Sequence, residues 1–468
     1  MTELPVIIGA GPAGIRAAQT LVKYGLRPVI LDEATRWGGQ IYRQQPQNFQ
    51  RTSKQLYGFD ADRAEKLSAD FAGLMNSVDY RSDALVWNVE KGRIDVLENG
   101  VSSTLPWTSL IVATGATDRI LPFPGWTLPG VYAMGAAQIA LKYQACAIGA
   151  NVILAGTGPL LYLVAYQYVK AGAKIQAVID TSPLTAQIKA LPRLLSQPGQ
   201  LARGIYYVGW LLARGIKVHR GARIVRAQGQ DRIAALIIKN ARGKEETLPC
   251  DALGFGYALR SETQIADILT CEFSFDPMQR AYLPTKDGTG RSSVEGVYLA
   301  GDGAGIMGAK AAELSGERSA LSLLIDKGLC RPDDRAIQQR IQLLDERLQS
   351  IGRFRTGLET AFPCPEDWIE HMDEDTIVCR CEEVTFGQIR DTIAECGIRE
   401  VNRLKAMSRA GMGRCQGRMC GQASAEILAH FSRQTLAEVG RLRGQPPIKP
   451  VPVQAIAQSS AATHEGTR

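Results

Sequence analysis

The chain has 468 residues, 54 Lys and Arg against 47 Asp and Glu, 45% apolar residues, 47 Gly and ten Cys. This is globular composition with a glycine surplus, which excludes disordered, collagenous and coiled-coil classes; the length suits about three folded units whose cores need no disulfide staples. The net charge of +7 is spread along the chain without a long Lys/Arg run, which argues against nucleic acid as a partner.

The first five residues carry no basic stretch and lead straight into an apolar strand, so a secretory signal is not expected; the reading is a cytoplasmic chain with reduced thiols. Residues 5–33 then run strand, glycine turn, helix, strand. Pro5–Ile8 is the first strand, Gly9, Ala10, Gly11, Pro12, Ala13 and Gly14 form the turn, Ile15–Lys23 is a helix closed by Gly25, and Pro28–Leu31 is the second strand. Asp32 and Glu33 follow. A G-x-G-x-x-G between a strand and a helix, with an acid about twenty residues on, is the context of a dinucleotide site. Gly9 permits the tight turn, Gly11 lets backbone approach a pyrophosphate, and Gly14 lets the helix pack on the strand. The helix N-terminus supplies amides and a positive dipole end to the anion. Glu33, rather than Asp32, is expected to accept hydrogen bonds from a ribose. The competing reading is a glycine-rich turn that binds nothing. Gly38, Gly39 and Gln40 let a loop pass close to the same cofactor.

Further along, Leu110–Ala113 is an apolar strand ending in Thr114 and Gly115. The 27 residues from Tyr143 to Val169 carry no charge, but Gly149, Gly156, Gly158 and Pro159 break them into a buried strand, a turn and a helix rather than a membrane span. Asn151–Ala155, the turn Gly156–Leu161, a helix to Lys170 and Ile175–Ile179 ending at Asp180 repeat the first pattern. Leu161 stands where the third glycine would be, which holds helix and strand apart. That unit either takes a nicotinamide dinucleotide through Gly156, Gly158 and Asp180, or keeps the scaffold for another nucleotide or none. Gly296–Ala300 is a last strand ending in Gly301 and Asp302, with a helix starting near Ala309; Asp302 can accept hydrogen bonds from a ribityl chain.

These pieces, in this order, resemble the two-dinucleotide-domain flavoproteins of the glutathione reductase and thioredoxin reductase superfamily, over about residues 3–325. The resemblance implies an α/β fold in which a discontinuous FAD domain, residues 1–115 and 285–328, surrounds a second nucleotide-binding-type domain at 116–284. Disulfide reductases of this fold carry two neighbouring Cys, whereas Cys146, Cys250, Cys271 and Cys330 are isolated, so no dithiol relay is expected. His219, His371, His430 and His464 stand in no triad-like context and read as surface or packing residues.

Ile337, Ile341, Leu344, Leu348 and Ile351 mark one amphipathic helix within a 329–374 linker, packed on its own chain or facing a partner. After it come Cys379-x-Cys381 and, beyond 33 residues, Cys415-x-x-x-x-Cys420. Two tight pairs in a reducing compartment point to metal ligation or redox work. Between them, Thr385 and Gln388 open a helix that ends near Cys396-Gly397, and Arg399–Arg409 is a second; Cys396 is expected to be a buried bystander. Four thiolates suit zinc or a [2Fe–2S] cluster. The basic residues Arg380, Lys405, Arg409, Arg414 and Arg418 and the amides of Gly411, Gly413, Gly417 and Gly421 favour the cluster. Residues 375–432 resemble bacterioferritin-associated ferredoxin in the C-x-C start, the intervening helices and Ala410-Gly411-x-Gly413-x-Cys415. They depart from it in the wider spacing of the last pair. Residues 433–468, with Pro446, Pro447, Pro450 and Pro452, read as an extended arm ordered only against a partner.

The combination, with Phe123–Val131 after the first Thr-Gly, resembles the large accessory (α or A) subunits of bacterial heteromeric amino-acid dehydrogenases, the opine oxidase, D-hydroxyproline dehydrogenase, dye-linked proline dehydrogenase and hydrogen cyanide synthase group. The resemblance implies an electron-transfer subunit. FAD would be held by Gly9, Gly11, Gly14, Glu33, Gly39, Thr114, Gly115 and Asp302, and the cluster by Cys379, Cys381, Cys415 and Cys420. It implies a partner flavoprotein of the glycine or D-amino-acid oxidase type, a small ferredoxin-like [2Fe–2S] subunit, FMN between subunits, ATP or another nucleotide in the second domain, and a respiratory acceptor at the inner face of the membrane. A self-standing NAD(P)H-dependent reductase and a zinc-bearing, non-catalytic scaffold remain as alternatives.

Overall fold

A computed structural model describes residues 3–46, 48–49 and 51–457. The first unit is built on a five-stranded sheet in the order 297–299, 109–112, 5–8, 29–31, 79–81. Pro5–Ile8 pairs in parallel with both Val29–Leu31 and Ser109–Val112, and Val297–Leu299 adds to the latter. All four strands of that central group are apolar and buried on both faces, as parallel strands covered on two sides require. Helices Pro12–Lys23 and Ala309–Asp326 cover one face, where Ala13, Ala17, Ala312 and Ala320 let the backbones approach. The helix starts at Pro12, three residues before the sequence expectation, with proline in the first turn where its missing N–H costs nothing.

The second unit has a five-stranded parallel sheet in the order 217–220, 174–180, 151–157, 252–257, 131–133. The uncharged run at 143–169 forms strand Asn151–Thr157 and helix Pro159–Lys170, and no helix among the described residues is long and apolar enough to cross a membrane. A pair of short antiparallel strands, Ala116–Asp118 and Leu259–Ser261, carries the chain between the units. This moves one expected boundary. The sequence places residues 262–284 in the second unit, yet Ile265, Ala266, Leu269 and Cys271 lie in the core with Val6, Ile8, Leu110 and Leu299, because the return strand at 259–261 has already brought the chain back.

The helix Arg335–Ala361 buries Ile337, Leu344 and Ile351 against its own chain. Its Gly357 packs on Arg193 and Leu194 of the second unit. The small C-terminal module has helices Phe386–Cys396, Val401–Ser408 and Gly421–Ser432. Thr385 and Gln388 form the expected capping box, and Gly397 ends the helix in the left-handed conformation. The module shares one continuous core with the second unit, from Phe255 and Trp126 to Cys379 and Leu428, and Trp126 Nε1 donates to Ile377 O at 2.6 Å.

Two expectations fail here. Cys396 is exposed, since it ends its helix on the outer side. The arm is not free: Val439, Ile448 and Ala455 are buried, Asp267 accepts from Arg441, Arg443 and the Gly444 amide, and Ile448 N donates to Trp87 O at 3.0 Å. The remainder of the arm, residues 458–468, and with it His464, lies outside the described residues. Of the other histidines, His219 faces Glu246, His371 faces Asp367 and His430 packs edge-on to Phe431, none beside a nucleophile.

Candidate functional site

The carboxyl ends of the central strands of the first sheet carry Gly9, Asp32, Thr114–Gly115 and Gly301–Asp302, so the sheet gathers these residues at one crevice. Gly9 has φ +105°, and a Cβ there would lie 2.4 Å from Ala113 O. A Cβ on Gly14 would lie 1.8 Å from Gly9 O, so only glycine lets this helix descend onto the strand. Gly11 meets nothing nearer than Gly39 Cα at 3.7 Å, which leaves its face open to a ligand. Gly39, at φ +63°, crosses over that turn, and Gly38 N donates to Ala10 O at 2.8 Å. The helix begins with no side-chain cap, so the amides above Pro12 and Ala13 remain available to an anion. Ala13 packs beneath Gly301, whose Cβ would come within 2.9 Å of it. Gln40 points to solvent and accepts from Arg43.

Of the two acids after the second strand, the structure turns Asp32 toward the glycine turn and leaves Glu33, expected at the ribose, on the exposed side. Asp32, not Glu33, faces the glycine turn: its Oδ2 accepts from Ala10 N at 2.5 Å and its Oδ1 from Ala34 N at 2.8 Å. Burial raises its carboxyl above the ordinary aspartate range against those two amides. Glu33 comes one residue too late to reach the turn; it is exposed and pairs with Lys449 of the arm. At the other side, Asp302 Oδ1 accepts from Met307 N at 2.8 Å and Gly308 N at 2.9 Å, ahead of the helix at Ala309. The half-buried Lys286 lies near it; desolvation lowers that ammonium while Asp302 opposes the shift. Thr114 Oγ1 donates to Glu262 O at 2.7 Å, and Gly115 has φ +74°.

In the second unit the turn is present and its acid is not available. Gly156, at φ +132°, is required by its neighbour strand, since a Cβ would lie 1.8 Å from Gly256 O. Gly158 is open, with nothing nearer than 3.8 Å. Leu161 is 1% exposed and packs in the core with Tyr162 and Val164. Asp180 is fully buried; its Oδ2 accepts from Tyr162 Oη at 2.5 Å and Gln187 Nε2 at 3.1 Å, its Oδ1 from Ser182 N at 2.8 Å. An acid sealed in this way offers no oxygen to a ribose.

In the small module, Cys379 ends the strand Ile377–Cys379, Cys381 lies in the following turn, Cys415 sits in the glycine-rich loop, and Cys420 precedes the last helix. The Cys420 thiol neighbours those of Cys379 and Cys415, and Cys415 neighbours Cys381, so the four are brought to one place. Among the described residues no three Cys, His, Asp or Glu side chains are already disposed around a common ion. The Cys420 thiol, followed by the amides of Gly411, Glu382 and Cys381, holds Cys379 down at about 6 against burial. Cys415 is held at about 5 by Cys420, Cys381 and the amides of Met419 and Gly417. Four sulfurs with converging amide donors fit a [2Fe–2S] cluster, whose sulfur charge such amides stabilise. The glycines have a further use. Side chains on Gly411, Gly417 and Gly421 would each strike Leu442 of the arm, at 3.1, 2.6 and 3.0 Å, and one on Gly413 would strike Cys381 Cβ at 2.2 Å. Of the expected cations, Arg409 pairs with Glu382, Arg418 with Glu262, and Arg380 stacks over Trp126. Sequence reasoning misses Glu262, Lys286 and Lys449; each is isolated in sequence and gains its place only through tertiary contact.

Residues 5–316 match the pyridine nucleotide-disulphide oxidoreductase family and residues 377–430 the BFD-like [2Fe-2S] binding domain. The chain is therefore an oxidoreductase with FAD and a [2Fe–2S] cluster as its cofactors. It is 36% identical over 97% of its length to the A subunit of opine oxidase from Rhizobium meliloti, covering 87% of that protein. It is 35% identical to hydrogen cyanide synthase subunit HcnB of Pseudomonas aeruginosa, covering 97% of this chain and 98% of that one. The L-proline dehydrogenase structure from P. horikoshii superposes with a TM-score of 0.73 at 19% identity, over 97% of this chain and 79% of that one, which shows a shared fold. The chain belongs to the family of HcnB and the opine oxidase A subunit.

Proposed function

We propose that this subunit takes electrons from a partner that oxidises an amino or imino acid at a C–N bond, and delivers them singly through its cluster to a respiratory or dye acceptor. FAD accepts electrons in pairs and the cluster passes them one at a time, the chemistry that the two groups supply when bound. The observation that carries this reading is Asp180. Its carboxylate is closed off by Tyr162 and Gln187, so the second unit lacks the ribose acceptor that a nicotinamide donor needs, and electrons enter from another polypeptide. The isolation of Cys250, Cys271 and Cys330 likewise speaks against a dithiol relay. The substrate class is opine, hydroxyproline, proline or glycine, a range that includes the opine and proline in the names of the relatives above.

On the same reading the partner is a glycine or D-amino-acid oxidase-like flavoprotein, with FMN between subunits and a small ferredoxin-like [2Fe–2S] subunit beside it. ATP or another nucleotide rests at the open Gly158 turn. The assembly works in the cytoplasm against the inner face of the membrane, where a respiratory acceptor collects the electrons. Anaerobic addition of NADH to the purified chain should leave the flavin absorbance unchanged. The chain co-purified with its partners should bleach with one of the four amine classes. Flavin bleaching of the isolated chain by NADH within seconds would replace this reading with that of a self-standing reductase.

A further inference from the structure

The cluster loop and the flavin crevice meet at one buried ion pair. Arg418 lies between the ligands Cys415 and Cys420, and its Nε donates to Glu262 Oε2 at 2.9 Å, the two side chains being 15% and 11% exposed. Its Nη1 donates to Ile448 O of the arm at 2.7 Å, and its own carbonyl accepts from Arg260 Nη1 at 3.2 Å. Beside it, Gln264 Nε2 donates to Gln416 O at 3.2 Å. On the other side, Glu262 is part of the crevice wall. Its carbonyl accepts from Thr114 Oγ1 at 2.7 Å, and its amide donates to Gly115 O at 3.0 Å. Gly303, next to Asp302, is as close: a Cβ there would lie 2.6 Å from Thr114 Oγ1 and 3.5 Å from Glu262 O. Arg418 Nη2 is buried without a partner, a spare donor at the junction of the two sites.

From these contacts we infer that Glu262 and Arg418 are positioning residues for electron transfer between flavin and cluster. Glu262 is fixed to the strand ends that hold the flavin, Arg418 is fixed between two cluster ligands, and the ion pair sets the separation of the two groups. Electron tunnelling falls steeply with distance, so a pair that fixes this separation governs the rate without touching the reacting atoms. An Arg fork in a low-dielectric contact holds such a geometry far better than an exposed pair. The step conserves electrons and protons. When bound, the flavin would supply two electrons and a proton and the cluster would relay the electrons one at a time to an added one-electron acceptor such as ferricenium, the proton going to water, while Glu262 and Arg418 take no part in the chemistry.

The inference rests on FAD and the cluster both residing in this chain, and the experiment separates the two. The full-length holoprotein is compared with Arg418→Met, Arg418→Lys and Glu262→Gln by flash reduction of the flavin with deazariboflavin. Flavin reoxidation and cluster bleaching are followed by absorbance, and flavin and iron contents are measured on the same samples. Arg418→Met and Glu262→Gln should slow flavin-to-cluster transfer at least tenfold with both groups still bound, and Arg418→Lys should recover part of the rate. Wild-type transfer rates in both cofactor-loaded variants, with only heat stability reduced, would overturn the inference. If Arg418→Met fails to hold its cluster, Glu262→Gln decides, because it touches no ligand: a wild-type rate there overturns the proposal and a slowed one upholds it. A wild-type protein without a flavin spectrum or a cluster EPR signal would sink the cofactor assignment and the inference together.

Discussion

At the first glycine turn the helix descends until a Cβ on Gly14 would stand 1.8 Å from Gly9 O; at the second, Leu161 fills the corresponding space and is 1% exposed. The acids that follow diverge in the same sense. Asp32 stays at the mouth, tied only to backbone amides, whereas Asp180 is fully buried under Tyr162 and Gln187. One strand–turn–helix–strand plan thus leaves the acid at the mouth of a crevice in one unit and seals it into the core in the other. The difference lies in a side chain at the third turn position and in what covers the acid, not in topology.

The largest break in this contrast should come from Gly14→Val. It forces helix and strand apart, and the purified chain should lose FAD affinity by more than 100-fold and emerge without flavin absorbance, while Leu161→Gly keeps its flavin. The latter change should instead cost about 3–5 kcal/mol of unfolding free energy, from a core cavity and a helical glycine. Next in size, Asp32→Ala should weaken FAD about 10- to 100-fold by titration, or about 1.4–2.8 kcal/mol. Asp180→Ala should leave FAD affinity unchanged and lower stability by about 2–3 kcal/mol in urea, since it strands buried donors. Equal effects of the two alanines on FAD would erase the distinction.

Lys142, on the second unit, sharpens the comparison where the units touch. Its Nζ donates to Ile41 O of the first at 3.1 Å, and burial pushes the ammonium down to about 8 from 10.5. The folded state therefore prefers the neutral amine. The charge destabilises the fold below pH 8, and the lost stability returns as pH rises from about 8 to 10.5. Lys142→Met should be more stable than the parent by about 2 kcal/mol at pH 7, after the lost hydrogen bond is counted, with the gap closing by pH 10.5. The smallest effect is that of Tyr162→Phe, about 1 kcal/mol in the same urea measurement, with no change in flavin content.

Much of the plan is legible in the sequence because it is local. The G-x-G-x-x-G turn, the Thr-Gly and Gly-Asp strand ends, the capping box at Thr385 and the two cysteine pairs each declare themselves within a few residues. What is not legible depends on contacts across the chain. That Asp32 and not Glu33 turns toward Ala10 is not legible, because one residue decides it and the partner of Glu33 is more than 400 positions away at Lys449. The second unit hides the fate of Asp180, which depends on Tyr162 and Gln187 rather than on its own motif. The glycines of the small module read from sequence only as amide donors. Three of them also make a socket for Leu442, a use that emerges only once the arm is in place.

The first sheet also has a consequence for biosynthesis. Pro5–Ile8 leaves the ribosome well before Val297–Leu299 completes its sheet, and Glu33 gains its partner only when Lys449 appears. At about 5–20 residues per second, roughly 20–90 s separate the first strand from that last contact. Through most of that interval the nascent chain exposes an unfinished parallel edge. A chain truncated before Val297 would therefore carry its glycine turn with the crevice open on one side.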